Sequence, residues 1–202
     1  MRLFVLAVLA FSAVPAQAQM WDAPTFFSPR PGEDLGIYVI DGEGAGDLGF
    51  AGIWRQAGNL NLGVRAGFMG SDHISVGAEF YGPLAIGGAS RLQLAWNLGL
   101  GATFNDATAL RIPLGVSVGA VLGSGSMSIM PYVHPRVAFD LVAYEIAGQE
   151  ETETEFNVPV DVGADIIVSP SLVVRVGATF NDSRNAIGAG LAWRMGRKLV
   201  VR

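Results

Sequence analysis

No cysteine occurs anywhere in the 202 residues, so neither disulfides nor thiolate metal sites can hold this fold, whatever its redox compartment. Lysine is nearly absent too, with Lys198 the only one. Charged residues make up 15% of the chain against 50% hydrophobic, and the mean hydropathy is +0.40. A disordered chain is far more polar than this. The net charge is −5, and no basic stretch is interleaved with aromatics, which excludes a nucleic-acid surface. Beyond the opening residues there is no continuous apolar run of the ~20 residues that a helix needs to cross a bilayer. A helical membrane protein is therefore excluded, and the hydrophobicity lies instead in short segments punctuated by 27 glycines. Without crosslinks, stability has to come from closed strand pairing.

The first eighteen residues set the compartment. Arg2 precedes an apolar run from Leu3 to Val14, followed by Pro15 and the small-residue site Ala16-Gln17-Ala18. This is the pattern of a cleaved secretory signal, and the run is too short for a transmembrane helix. The mature chain then starts at Gln19. Residues 19–34 are expected as a periplasmic N-terminal segment, 35–195 as one domain and 196–202 as a C-terminal tail.

From Leu60 onward the pattern has period two, the signature of strands with one apolar face. Leu60, Leu62, Val64, Ala66 and Phe68 share one face, with Asn61, Gly63, Arg65 and Gly67 on the other. After Gly70-Ser71-Asp72-His73, the segment Ile74–Tyr81 repeats the scheme, giving a hairpin. Leu92–Thr103, Leu110–Gly119, Ser128–Leu141, Phe156–Ile166, Leu172–Phe180 and Ile187–Met195 follow it. Two shorter segments, Leu35–Ile40 and Leu48–Arg55, come first. The count is ten, or eight without them; both are even, as a closed barrel with its two ends on the periplasmic side requires. If the first strand runs outward, the acidic connection Tyr144–Glu153 is external and Ser169-Pro170 is periplasmic. Gly-Ala-Thr-Phe-Asn-Asp, at Gly101–Asp106 and again at Gly177–Asp182, marks equivalent ends of two outward strands.

Alternation alone does not say which face is inside, because a soluble ligand-binding barrel has the same period with its apolar face inward. A water-facing surface needs Lys, Glu and Thr. Here the polar face is Gly, Ser, Asn and Thr with isolated Arg and acids, which suits a narrow interior, while the apolar face is large and continuous, as a lipid-facing band is. The expected fold is all-β: a closed antiparallel up-and-down transmembrane barrel. Its interior is expected to carry a paired charge network of Arg55, Arg65, Glu79, Arg91, Arg111, His134, Arg136, Asp140, Asp161, Asp165, Arg175 and Arg194. Arg65 and Glu79 are expected as a pair across the first hairpin, since a charge buried alone is costly.

These features resemble the small bacterial outer-membrane β-barrel family, the OmpA-like and OmpX-like transmembrane domains and porin-family barrels of Gram-negative envelopes. The resemblance covers Leu35–Met195. It rests on the architecture and on a last strand whose Gly188, Leu191 and Trp193 match the signal read by the barrel insertion machinery. The chain departs from the pattern by continuing through Gly196–Arg202 instead of ending on Phe, and no peptidoglycan-binding domain follows. The resemblance implies an integral outer-membrane protein without enzymatic activity, with a structural or surface-interaction role. Its partners would be outer-membrane lipid and the assembly machinery, its state monomeric, and no cofactor or metal is expected. A narrow ion or small-solute channel is the alternative, a soluble periplasmic ligand-binding barrel comes next, and a lipid-modifying enzyme using Ser71, Asp72 and His73 comes last. Glu150, Glu151, Glu153 and Glu155 read as a solvated acidic loop.

Overall fold

The computed structural model describes residues 23–42, 48–58, 61–70, 73–85, 92–104, 108–123, 127–146, 149–182 and 185–195. The expected signal peptide, the C-terminal tail, Ser71, Asp72, Arg91 and Glu150's side chain lie outside them.

Eleven strand segments occur among the described residues: β1 (Asp34–Gly42), β2 (Leu48–Gln56), β3 (Leu62–Met69), β4 (His73–Leu84), β5 (Leu92–Phe104), β6 (Thr108–Ala120), β7 (Ser128–Ile146), β8 (Gln149–Asn157), β9 (Val160–Ser169), β10 (Leu172–Phe180) and β11 (Ala186–Arg194). Each pairs antiparallel with its neighbour, and β1 pairs β11 from Asp34↔Arg194 to Gly42↔Ala186, closing the sheet on itself. Closure removes the free edges that an open sheet would expose.

The eleven segments make ten staves. β7 pairs β8 from Ala138↔Asn157 and β9 from Pro135↔Val160, so β8 and β9 follow one another along the same partner in one register. Val158 and Pro159 interrupt them. Proline cannot donate to the ladder, yet its carbonyl still accepts from Arg136 N at 3.0 Å. The barrel is therefore a closed ten-stranded antiparallel one, as the periodicity predicts.

The pleat sends alternate side chains to opposite faces of the wall. Ile37, Leu100, Phe139, Phe156 and Ile187 are each more than half exposed on the outside, and β1 alternates buried and exposed at every position. Arg55, Arg111, Arg175, Tyr38 and His134 are among the largest fully buried side chains. Apolar residues face out and charged residues face in, the reverse of a soluble barrel, so the ligand-binding alternative with an apolar interior is overturned.

One sequence expectation differs from the fold. Tyr144–Glu153 is not a long loop: β7 runs to Ile146 and β8 returns from Gln149, so most of it is a hairpin. This tongue continues past Thr108↔Ala143, where β6 stops pairing with β7. Ala23–Ser28, part of the expected N-terminal segment 19–34, lies inside the barrel, with Ala23, Thr25, Phe26, Phe27 and Ser28 all buried. Apolar Phe26 and Phe27 lose their contact with water by entering the lumen, which offers them aromatic partners.

Candidate functional site

The candidate site is the lumen with its own N-terminal segment in it. The segment leaves Pro29 at the end of the barrel where β1 begins and β11 finishes. It passes Gly119 of β6, then reaches Gly177 of β10 and Gly188 of β11. A Cβ placed on Gly119 would sit 3.0 Å from Pro29 Cγ, one on Gly177 3.2 Å from Pro24 Cβ, and one on Gly188 2.8 Å from Phe26 Cζ. Wall glycines thus stand where the segment comes close.

Polar side chains of the wall grip the segment through its backbone. Thr25 O accepts from Arg55 Nη2 at 3.0 Å and from Arg65 Nη2 at 2.7 Å, Phe26 O from Arg55 Nη1 at 3.2 Å, and Ala23 O from Arg136 Nη2 at 3.3 Å. Thr25 N donates to Asp161 Oδ2 at 3.1 Å and Thr25 Oγ1 to the same oxygen at 2.6 Å. Bonds with one ionised partner are the strong class of hydrogen bond.

The aromatic residues fix the two sides. Phe26 stacks on Tyr38 with ring centroids 4.0 Å apart and an interplanar angle of 13°. Phe27 packs edge-on to Tyr81 at 5.8 Å and against His134 at 5.3 Å, with the Arg55 guanidinium 5.6 Å from its centroid. Phe26 has φ of 49°, the only positive value at a described non-glycine residue. The left-handed conformation costs an L-residue roughly 1–2 kcal/mol and persists only where the surroundings enforce it. Here the Tyr38 stack and the Arg55 bond enforce it.

The segment sits within a chain of linked groups. Arg55 Nε meets Glu79 Oε1 at 2.9 Å, and Asn97 Nδ2 donates to Glu79 Oε2 at 3.2 Å. Asn97 Oδ1 lies 3.0 Å from His134 Nε2, and Thr25 Oγ1 lies 2.9 Å from His134 Nδ1. The Asn97 amide thus bridges Glu79 and His134, and the Thr25 hydroxyl bridges His134 and Asp161. Asp161 completes the chain with Arg136 Nη2 at 3.1 Å and Thr179 Oγ1 at 2.8 Å.

Two further clusters line the wall. Arg175 spans three acceptors: Asp165 Oδ1 at 3.2 Å, Tyr38 Oη at 2.9 Å and Asp34 Oδ2 at 2.6 Å. Arg111 forms a two-pronged pair with Asp140, its direct cross-strand neighbour, and Asn157 Nδ2 supports that carboxylate at 2.8 Å. Ser75 and Thr103, also cross-strand neighbours, join at 2.7 Å.

Of the predicted network, Arg55, Arg65, Glu79, Arg111, His134, Arg136, Asp140, Asp161, Asp165 and Arg175 are all buried in the lumen, and Arg194 is half-buried at its end. The network holds more links than the expected Arg65–Glu79 pair: Glu79 is met at 2.9 Å by Arg55 and also interacts electrostatically with Arg65, and Arg65 donates to Thr25 O as well. The expected charge network leaves out Asp34, Tyr38, Asn97 and Thr179, although each sits on the inward parity of its strand. It also missed Thr25, Phe26 and Phe27. The available signal was two adjacent phenylalanines between Pro24 and Pro29, too apolar to remain in water.

Thr25, His134 and Asp161 have the residue types of a nucleophile, base and orienter, but the Thr25 hydroxyl donates to Asp161 and not to the imidazole. All three are buried against their neighbours. No group of three or more His, Cys, Asp or Glu among the described residues is placed to hold a metal ion. The arrangement binds and positions a peptide segment.

No family model and no curated relative matches the sequence. Solved structures similar to it include a KdgM porin in complex with disordered oligogalacturonate, at 9% identity over 81% of this chain and 99% of that one, with a TM-score of 0.44. The N-terminal β-barrel domain of Pseudomonas aeruginosa OprF gives 10% identity over 81% and 98%, with a TM-score of 0.41. The Acinetobacter baumannii outer membrane protein Omp33 gives 8% identity over 81% and 98%, with a TM-score of 0.40. The likeness is to barrels of the class that the sequence resembles, and the architecture itself rests on this chain's own closed register.

Proposed function

We propose that this protein is an integral outer-membrane β-barrel without enzymatic activity, serving the envelope as a structural or surface-presenting element. The observation that carries the reading is the inverted polarity of the wall, with large apolar side chains outside and arginine–carboxylate clusters inside. In water such an exterior is a continuous apolar patch far beyond what a soluble monomer exposes. In lipid it is the expected surface, and closure satisfies the backbone groups that lipid cannot. The connections agree in part: the end where β1 begins and β11 finishes has the tight Ser169–Leu172 turn, and the opposite end carries the acidic tongue of β7 and β8.

Cell fractionation with detergent extraction tests this. The mature protein is expected with the outer membrane, released only by detergent, and running at different positions on denaturing gels before and after boiling. Recovery in the soluble periplasmic fraction with no heat-dependent mobility would sink the proposal.

A further inference from the structure

Ala23–Ser28 is an occupant of the lumen that adds no strand to its wall. Its backbone carbonyls are held by Arg55, Arg65 and Arg136, its one strained residue is held by Tyr38, and wall glycines make room for it. A pocket lined this way is matched to a ligand, and the ligand is tethered.

We propose that this segment is a displaceable gate, and that the barrel without it is a narrow passage preferring small anions. The inference rests on the membrane-barrel reading above. Withdrawal would remove Pro24, Thr25, Phe26 and Phe27 from the lumen. Gly177 and Gly188, at the vacated positions, have no side chains to fill the space. Arg55, Arg65 and Arg136 would each turn the N–H donors that now hold carbonyls toward the opened axis. Glu79 would keep Arg55 and Asn97, and Asp161 would keep Arg136 and Thr179 on Oδ1 and His134 at 3.4 Å on Oδ2, which loses its two Thr25 donors, so each carboxylate stays engaged with the wall while three arginines lose a carbonyl. The emptied lumen therefore presents donors to a passing ion. Gly32, with no atom within 4 Å of an added Cβ, gives the segment an uncrowded pivot at the barrel's end. A tethered ligand acts at an effective concentration of roughly millimolar, which favours the closed state over an opened one.

The absence of cysteine makes a clean test possible. A Cβ at Gly177 lies 3.2 Å from Pro24 Cβ, close to the span of a disulfide, so Pro24→Cys with Gly177→Cys is expected to lock the segment on oxidation. In the same mature chain, Thr25→Ala and Phe26→Ala loosen the grip by removing the hydroxyl bond to Asp161 and the stack on Tyr38, leaving the backbone contacts. Gly188→Ala, which crowds Phe26, is the second loosening variant. Planar-bilayer recordings of the reduced, loosened protein are expected to show openings whose reversal potential in a KCl gradient indicates chloride preference. Oxidation is expected to cut open time by about tenfold or more, and a synthetic peptide of residues 19–30 to block the reduced channel. Both loosened variants staying silent although inserted and heat-modifiable would overturn the gate, as would equal conduction in the locked and reduced forms. Cation preference would overturn the assigned ion class. A chain that is never inserted would overturn the membrane reading, and the gate with it.

Discussion

Arg175 shows how tightly single residues are committed. Its guanidinium serves Asp34, Asp165 and Tyr38 from a position 2% exposed. Deleting it strands two carboxylates away from water, and breaking a buried pair in this way costs about 3–5 kcal/mol. Arg175→Leu is expected to lower the unfolding free energy of the detergent-folded barrel, read from denaturant titration, by that amount. Adding Asp34→Asn and Asp165→Asn is expected to recover most of the loss, because neutral amides tolerate the missing partner better. Equal losses in the single and triple variants would show that the charge plays no part. The sequence made Arg175 and Asp165 readable because strand parity sorts side chains between two faces without any knowledge of neighbours. Parity could not choose between partners. Arg55 and Glu79 are both cross-strand neighbours of Gly63, which has no side chain to part them, so Arg55 Nε meets Glu79 Oε1 at 2.9 Å across a strand that pairwise parity did not look past.

At the scale of the element, the ten staves were legible because each keeps its alternation over most of its length. Three features were not. Phe156–Ile166 reads as one strand, and Pro159 divides it without changing its register. Gln149–Glu155 is polar at both parities, so nothing in its pattern separates a strand from a loop; it pairs because β7 continues beyond the rest of the barrel and supplies a ladder. The N-terminal segment has no period at all, since it contacts several staves at once. The tongue leads to a prediction. β8 pairs with β7 alone among the described strands, so replacing residues 144–153 with a two-residue turn leaves the β7–β9 and β9–β10 ladders untouched. Heat-modifiable mobility is expected to persist, with a stability change within about 1 kcal/mol, as for surface changes away from cores. Loss of the folded band would mean that the tongue is part of the closure and not an appendage to it.

For the molecule as a whole, the orientation of the wall decides what every outward residue means. Leu100 is 57% exposed near the middle of β5, and Leu84 is 40% exposed at the end of β4. If the surround is lipid, a charge at the midplane is far more expensive than one at the interface. Arg costs roughly 2–4 kcal/mol at the midplane and about 0–1 near the rim of a transmembrane barrel. Leu100→Arg is therefore expected to destabilise the protein folded into phospholipid bilayers by the larger amount, and Leu84→Arg by the smaller. In water the order vanishes, because arginine on any exposed outward site relieves an apolar patch and costs little. The comparison separates lipid from water as the medium of this surface without reference to any activity. A flat profile, with both substitutions neutral, would require a partner or a solvent other than the bilayer against the apolar face. A steep one would mean that the membrane itself sets the energetic depth scale of the wall, leaving the lumen, with its gripped segment, as the part of the molecule where specificity can reside.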